Sequence, residues 1–380
     1  MPSSDSPATR LATRLAFLVS GFGIACWAPL VPFAKQRLGV EDGGLGLLLL
    51  CIGAGSVTAM LGAGPLTGRH GARPVILCSG IAIAAILPLL ALAATPVALG
   101  AALLGFGAAM GAIDVAMNIH AVEVERAANR PLMSGFHALF SIGGFVGATL
   151  MTFLLGLHIA PLAATLIGSA LVVAAMVVAA PRLLTTREGH DGPLFVRPRG
   201  IVTMLAAMTG IAFLAEGAML DWSALLIIGR GLVPAGQGGL GYILFAIAMT
   251  FGRLTGDRLT AWTGDRNALV GGGCVAVSGF AVLLLAPAAW LALCGFLLIG
   301  LGAANIVPLL FRRAGAQGAM PAALAIGAIT TTGYAGVLAG PAAVGFVAQG
   351  TGLATAFWIL AGLLCLVPLA AYRALGDMGR

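Results

Sequence analysis

LAATLIGSALVVAAMVVAA, residues 162–180, is a run of 19 residues without a single charge. A helix needs roughly 20 mainly apolar residues to cross the hydrocarbon core of a bilayer. Strands of membrane β-barrels alternate apolar and polar residues, whereas this block is apolar almost throughout. The block therefore predicts a transmembrane α-helix, and the rest of the chain contains similar blocks, such as residues 81–94.

The composition of the whole chain agrees with this interpretation. Of its 380 residues, 60% are hydrophobic and 9% are charged, whereas soluble domains carry about 25% charged residues. The composition excludes a soluble enzyme, a nucleic-acid-binding protein and a disordered chain, despite the net charge of +7. Twelve helices of about 20 residues would use about 240 residues. The sequence predicts a polytopic protein whose environment is the lipid bilayer.

The distribution of basic residues predicts the membrane topology of the chain. Cutting at charges and at Gly/Pro clusters gives twelve apolar blocks, of which the first runs from Leu15 to Phe33 and is interpreted as a span, not as a removed signal peptide. With the N-terminus in the cytoplasm, 17 of the 20 basic residues fall on the cytoplasmic side, as the positive-inside rule requires. The three outside are Lys35, Arg37 and Arg230. Both termini are therefore predicted to be cytoplasmic.

A polar stretch, residues 181–200, divides the blocks into two sets of six. We predict an N-terminal bundle (residues 1–180), a cytoplasmic linker (181–200) and a C-terminal bundle (201–380). Sequence matches between the halves indicate a duplication: Gly43-Gly44-Leu45-Gly46 recurs 195 positions later, and Leu66, Gly71 and Arg73 recur 193 positions later as Leu259, Gly264 and Arg266. The predicted fold is an all-α membrane protein with twelve transmembrane helices in two pseudo-symmetric six-helix bundles.

The chain shows no motif for a cofactor. Its six cysteines lie inside apolar blocks without a CxxC or Cys/His cluster, so neither a disulfide framework nor a metal site is predicted. A nucleotide-binding loop of the Gly-x4-Gly-Lys-Ser/Thr type does not occur in the sequence. Any transport work must then draw on an ion gradient or a solute gradient.

The loop Gly64-Pro-Leu-Thr-Gly-Arg-His-Gly-Ala-Arg73 resembles the signature cytoplasmic loop of the major facilitator superfamily. Gly68 stands where that family usually has an aspartate, and the run from Gly252 to Leu259 in the second half supplies acid and base instead. The resemblance implies the major facilitator fold and a gating role for the charged residues of both regions, with simple positive-inside anchoring as the alternative: Arg69, Arg73, Arg253, Asp257 and Arg258.

A second resemblance lies in the fourth block, which ends at Ile119. Asp114-Val-Ala-Met-Asn118 is similar to the acid-x-x-x-Asn pattern of fucose-permease-like sugar/proton symporters. That resemblance implies Asp114 as proton carrier, Asn118 as substrate contact and a location in the bacterial inner membrane. The acid that those symporters carry in the first span has no counterpart between Leu15 and Phe33.

The residues alone also point to proton chemistry. Three acids lie within apolar blocks, Asp114, Glu216 and Asp221, although an ionised carboxylate deep in a bilayer costs several kcal/mol. No lysine or arginine lies in the middle of a block, so we expect none of the three to have an embedded ion-pair partner. Desolvation favours the neutral carboxyl, and a group that exchanges between neutral and charged forms is what proton coupling requires. His137 titrates naturally near neutral pH and is predicted either to relay the proton or to pack in a helix interface.

Further polar and aromatic side chains are candidates for a substrate cavity. Glu216 and Asp221 are five residues apart and so point about 140° away from each other on a helix, which places them in different sites, with Glu216 nearer the cavity. Tryptophan rings contact sugar or drug rings, although they also anchor helices at the membrane interface. The predicted substrate contacts are Asn118, Trp27, Trp222, Asn305, Thr331 and Tyr334.

These observations favour a secondary active transporter that works by alternating access as a monomer. We expect proton-coupled symport of a small polar, sugar-like solute, with proton-driven export of drugs or metabolites as the alternative. An intramembrane enzyme is a remote alternative, since no Gly-x-Ser-x-Gly or HExxH motif is present, and so is a non-transporting sensor. The predicted partners are therefore a small molecule, protons and lipid.

Overall fold

The computed structural model describes residues 6–128, 132–185 and 197–374. Within those residues, twelve helical segments are long and apolar enough to cross a membrane, which confirms the predicted number of spans. The regular structure of this part of the chain consists of helices. The predicted linker, 181–200, lies mostly outside the described residues, which resume at Arg197.

Fifteen α-helices build these segments, because three of the spans are interrupted. In chain order they are α1 Pro7–Trp27, α2 Val31–Leu38, α3 Asp42–His70, α4 Ala72–Leu92, α5 Pro96–Ala128, α6 Met133–Gly156, α7 Pro161–Ala179, α8 Ile201–Gly229, α9 Leu240–Thr263, α10 Asp265–Leu285, α11 Ala289–Ala303, α12 Ile306–Ala316, α13 Ala322–Thr351, α14 Leu353–Leu364 and α15 Leu366–Ala374. The first span joins α1 to α2, the tenth joins α11 to α12, and the twelfth joins α14 to α15.

The chain divides into two compact units of six spans each, apart from two short exchanged segments. The first unit comprises Met1–Val40, Cys51–Gly192 and Ala235–Gly239. The second comprises Glu41–Leu50, Pro193–Pro234 and Leu240–Arg380.

The repeat seen in the sequence is also a repeat of local structure. Gly71 ends α3 and precedes α4 with a φ of 87°, and its amide donates to the Thr67 carbonyl at 2.7 Å. In the second half Gly264, with a φ of 79°, donates in the same way to Thr260 at 2.8 Å. Positive φ favours glycine because it has no Cβ. The matched glycines therefore make the same turn in both halves, which supports the predicted duplication.

Small residues bring several helices into close contact, and each unit provides an example. In the first unit α1 and α6 meet where Gly143 faces the Leu18 carbonyl. In the second unit α8 and α13 meet where a Cβ on Gly336 would lie 2.5 Å from the Gly210 carbonyl oxygen. Glycine permits such an approach between membrane helices, so these glycines serve packing.

Candidate polar site of the second unit

An ion pair joins two membrane-spanning helices of the second unit. Nη2 of Arg253, on α9, lies 3.4 Å from Oε2 of Glu216, near the middle of α8. The two side chains are 35% and 20% exposed. Oε1 of Glu216 is buried and accepts no hydrogen bond from the part of the chain that the structure describes. Strong arginine–carboxylate pairs are bidentate and about 2.7–2.9 Å long, so this pair is a loose one.

The position of Arg253 differs from the one that the sequence predicted. The eighth apolar block was expected to end at Phe251, which put Arg253 in a loop with Asp257 and Arg258. Instead α9 continues to Thr263 and its membrane-spanning part includes Arg253. The expectation that Glu216 lacks a basic partner is therefore wrong. It failed because a single arginine between apolar residues was taken as the end of the span.

A break in the tenth span holds the arginine in place. Helix α11 ends at Ala303 and α12 begins at Ile306, with Asn305 between them. The Asn305 side chain donates to the Gly252 carbonyl at 2.9 Å, and Nε of Arg253 donates to the Ala304 carbonyl at 3.4 Å. Because a helix end leaves carbonyl groups without helical partners, the break supplies an acceptor for the guanidinium group. The half-buried Asn305 side chain thus connects the break in the tenth span to α9 through this hydrogen bond.

Tyr242 and Asp221 are further titratable side chains of α9 and α8. Tyr242, on α9, lies within electrostatic range of Glu216, Asp221 and Arg253. Asp221 is only 6% exposed, and no hydrogen bond to its side chain occurs among the described residues. Glu216 is thus paired and Asp221 deeply buried on the same helix. That the two acids serve different sites, as the angle between them on the helix predicts, stays a prediction. Tyr242 was not a predicted site residue, although it is one of only three tyrosines in the chain.

The predicted aromatic contacts are packed rather than open. Trp27 and Trp222 are both fully buried, and the Nε1 atom of each lacks a hydrogen-bond partner within the described ranges. The Tyr334 ring stacks on Phe213 with centroids 6.4 Å apart, and the Thr331 hydroxyl donates to the Gly327 carbonyl of its own helix. Neither tryptophan is exposed in this conformation, and their roles as substrate contacts stay predictions.

In the first unit, Asp114 and Asn118 lie on one face of α5. Nδ2 of Asn118 donates to the Asp114 carbonyl at 2.8 Å, and the same nitrogen lies 3.4 Å from Oδ1 of Asp114. His137, on α6, is exposed and packs edge-on against Phe17 with centroids 5.1 Å apart. Their roles in proton and substrate handling stay predictions.

A buried histidine near the end of α5 was missed. His120 is fully buried, with its Nδ1 atom 3.1 Å from the Thr13 hydroxyl and its Nε2 atom 3.0 Å from the Leu184 amide nitrogen. Since the amide donates to Nε2, the proton is on Nδ1, which donates to Thr13. Glu123, one turn further, is 8% exposed. Ending the fourth block at Ile119 hid both residues, and their i, i+3 spacing was the available signal.

The predicted gating residues differ in exposure, and their gating role stays a prediction. Arg69 and Arg258 are exposed, Arg73 is half-buried, and the side chain of Asp257 lies outside the described residues. A different acid pairs with arginines at this end of the second unit: Asp265, which opens α10, lies 3.2 Å from Arg312 and 2.9 Å from Arg313.

Arg266, next to Asp265, contacts the last span. Its Nη2 atom donates to the Tyr372 carbonyl at 2.8 Å, and its guanidinium lies 4.7 Å from the Tyr372 ring centroid. Within the described residues, no three His, Cys, Asp or Glu side chains converge as a metal site would require.

Comparison with known sequences places this arrangement in context. A family profile described as Major Facilitator Superfamily matches residues 14–317. An uncharacterised MFS-type transporter of Yersinia pestis is 51% identical over 364 residues, which cover 95% of this chain and 94% of that protein. The uncharacterised transporter y4wD of Sinorhizobium fredii (strain NBRC 101917 / NGR234) is 32% identical, over 93% of this chain and 95% of its own length.

Two solved structures are similar in fold. Both are of the nucleoside transporter NupG, one as a D323A mutant with a TM-score of 0.80 and one with a TM-score of 0.75. The mutant covers 96% of this chain and 99% of its own at 14% identity, and the other covers 97% and 100% at 15% identity. Identity at this level shows a common fold.

Proposed function

Because the chain belongs to the major facilitator superfamily and is a membrane transporter, not an enzyme, we propose that it is a proton-coupled secondary carrier in which Glu216 carries the proton. The observation that supports this most directly is the ion pair of Glu216 with Arg253 inside the membrane-spanning helices. Protonation of Glu216 removes its attraction to Arg253 and so changes what holds α8 to α9. A solute gradient or a proton gradient then supplies the energy, as expected for a secondary carrier.

The pair suits this role because it is weak enough to break when Glu216 takes up a proton and to form again when the proton leaves. It has a single contact of 3.4 Å, and both side chains are partly exposed. A tightly bonded, fully buried pair would resist the loss of one partner far more. Asp221 is buried without a basic partner in the described part of the chain, which makes it a less accessible proton site. Asp114 remains the candidate in the first unit.

The solute is proposed to be small and polar, as the sugar-like resemblance in α5 implies. The structural neighbours NupG are named for nucleosides, so nucleosides belong in the same test. We place the protein in the bacterial inner membrane with both termini in the cytoplasm, because 17 of the 20 basic residues then lie inside. The predicted state is a monomer.

Proteoliposomes with an internal pH dye test the coupling. We expect an inward gradient of the transported solute, identified from a panel of sugars, nucleosides and small organic acids, to acidify the lumen in symport. Glu216→Gln should abolish the pH change, because the amide cannot exchange a proton. Glu41→Gln is the matched control: Glu41 is an exposed acid that accepts a hydrogen bond from Gln349, and its loss should leave the pH change intact.

The direction of the pH change distinguishes symport from export, and the Glu216 variant tests whether this residue carries the proton. Alkalinisation of the lumen instead of acidification would indicate proton-driven export. If labelled solute enters wild-type vesicles without any pH change, or if Glu216→Gln moves protons as wild type does, Glu216 is not the coupling residue.

A further inference from the structure

The N–H donors of Arg253 that Glu216 does not use indicate the chemical class of the solute. Resting on the proton-carrying role of Glu216, we propose that Arg253 binds a carboxylate of the transported solute, so that the substrate is a small organic monoacid that is taken up with the proton. Glu216 then occupies the solute's place on Arg253 while the site is empty.

Arg253 has donors to spare. A guanidinium group has five N–H donors in a planar fork that fits a carboxylate. In the described structure Nη2 faces Glu216 and Nε donates at 3.4 Å to the Ala304 carbonyl. The group is 35% exposed. Three donors are therefore left without a partner among the described residues, on a side chain that is partly exposed.

Protonation of Glu216 creates a need for an anion. A neutral Glu216 leaves the charge of Arg253 uncompensated inside a membrane-spanning helix, and an unpaired charge there is strongly unfavourable. A solute carboxylate restores the charge balance, because it carries the same negatively charged group as the ionised Glu216 side chain. Binding of the proton and binding of the anion then favour each other, as thermodynamic linkage requires.

The neighbouring groups favour one negative charge. Tyr242 on α9 lies within electrostatic range of both members of the pair and of Asp221 on α8, and Tyr334 on α13 stacks against α8 through Phe213. None of these adds a positive charge. Arg253 is the basic group in contact with Glu216 in the described part of the second unit. A monocarboxylate matches one cation, whereas a phosphate dianion would leave an excess negative charge.

The experiment uses acetate as a probe for the vacated arginine. Thermal unfolding of the full chain in detergent is measured for wild type, Glu216→Gln and the double variant Glu216→Gln/Arg253→Gln. Each is tested in chloride, acetate, inorganic phosphate and uncharged acetamide at equal ionic strength. We expect acetate to raise the Tm of Glu216→Gln by several degrees and to leave the double variant unchanged. Acetamide should have no effect on either protein.

Two further arms make the result specific. Wild type should respond to acetate at mildly acidic pH and lose the response at mildly alkaline pH, whereas Glu216→Gln should respond equally at both. Arg253→Lys in the Glu216→Gln background keeps the charge but not the fork, so a smaller response is expected. Phosphate should stabilise Glu216→Gln less than acetate does.

The inference is overturned if acetate stabilises the single and double variants equally, or neither of them, or if phosphate acts more strongly than acetate. The failure is separable from that of the proposed function. An absent acetate response together with loss of proton movement in Glu216→Gln vesicles removes the carboxylate assignment alone. A clear acetate response with proton movement retained in Glu216→Gln removes the proton-carrying role instead.

Discussion

Arg37 and Arg230, which are 193 positions apart in the sequence, each donate two hydrogen bonds to carbonyl groups at the C-terminal end of another helix. Nε and Nη2 of Arg37 donate to the carbonyls of Ala93 and Leu90 at 2.9 and 2.8 Å, at the end of α4. Arg230 donates to Ala286 at 2.7 Å and to Leu283, at the end of α10. Both acceptors are also shifted by 193 positions. The duplication has therefore preserved side-chain contacts as well as helices.

Removing either arginine should destabilise its unit. The last carbonyls of a helix have no helical partners, and a positive charge there also offsets the helix dipole. We expect Arg37→Ala and Arg230→Ala each to lower the free energy of unfolding by about 1–3 kcal/mol. Thermal unfolding in detergent measures the effect. Arg197→Ala, at an exposed arginine, is the control and should melt as wild type does.

The ion pair should show strong coupling between its two members. Glu216→Gln and Arg253→Gln each leave one charge without its partner, and we expect a loss of about 2 kcal/mol in each case, less than for a fully buried pair. The double variant removes both charges and should recover most of this loss. A double-mutant cycle on unfolding free energies gives the coupling. Additive losses would show that the two charges do not interact.

His120 should be a structural residue of the first unit. Substitution by alanine leaves the Leu184 amide and the Thr13 hydroxyl without their buried partner, which is expected to cost about 1–3 kcal/mol. His120→Asn should recover part of the loss, because an amide both donates and accepts. His70→Gln, at an exposed position, is the comparison and should be neutral. Equal melting temperatures for His120→Ala and His70→Gln would contradict the packing described.

Two glycines of α13 should respond in opposite directions to the same change. Gly336→Ala places a Cβ 2.5 Å from the Gly210 carbonyl oxygen, so α8 and α13 must separate, at an expected cost of about 1–3 kcal/mol. Gly327 has open space around its Cβ position. Gly327→Ala should be neutral or stabilise by up to about 1 kcal/mol, since alanine favours helix. Melting temperatures in detergent compare the two, and a similar shift for both would refute the close approach.

Much of the fold follows from the sequence because lipid imposes simple rules. A spanning helix must be long, apolar and internally hydrogen-bonded, so counting blocks gave the twelve spans. The shared spacing of Gly71 and Gly264 marked the duplication, because a positive φ restricts both positions to glycine in the same turn.

The site was harder to predict because its members meet only in three dimensions. Glu216 was found as an acid in an apolar block. Arg253 was misplaced because charge alone cannot distinguish a span end from a buried ion pair. The break at Asn305 has one local signal that the prediction did not use: Pro308 lacks an amide hydrogen and so leaves the Ala304 carbonyl without a helical donor. The partner contacts of His120 likewise depend on helices far apart in the sequence.

The broken tenth span has a counterpart that is not broken. Helix α5 runs from Pro96 to Ala128 without interruption, and the position 193 residues before Asn305 is Ala112. The same shift leads from Arg253 to Met60, and no charged residue stands between Gly21 and Ile24, where a mate of Glu216 would lie. At these matched positions the second half therefore carries polar or charged side chains where the first half carries none. The first half thus shows which uncharged residues stand at the matched positions of the same repeat, and they define substitutions that would remove the polar groups of the second half one at a time.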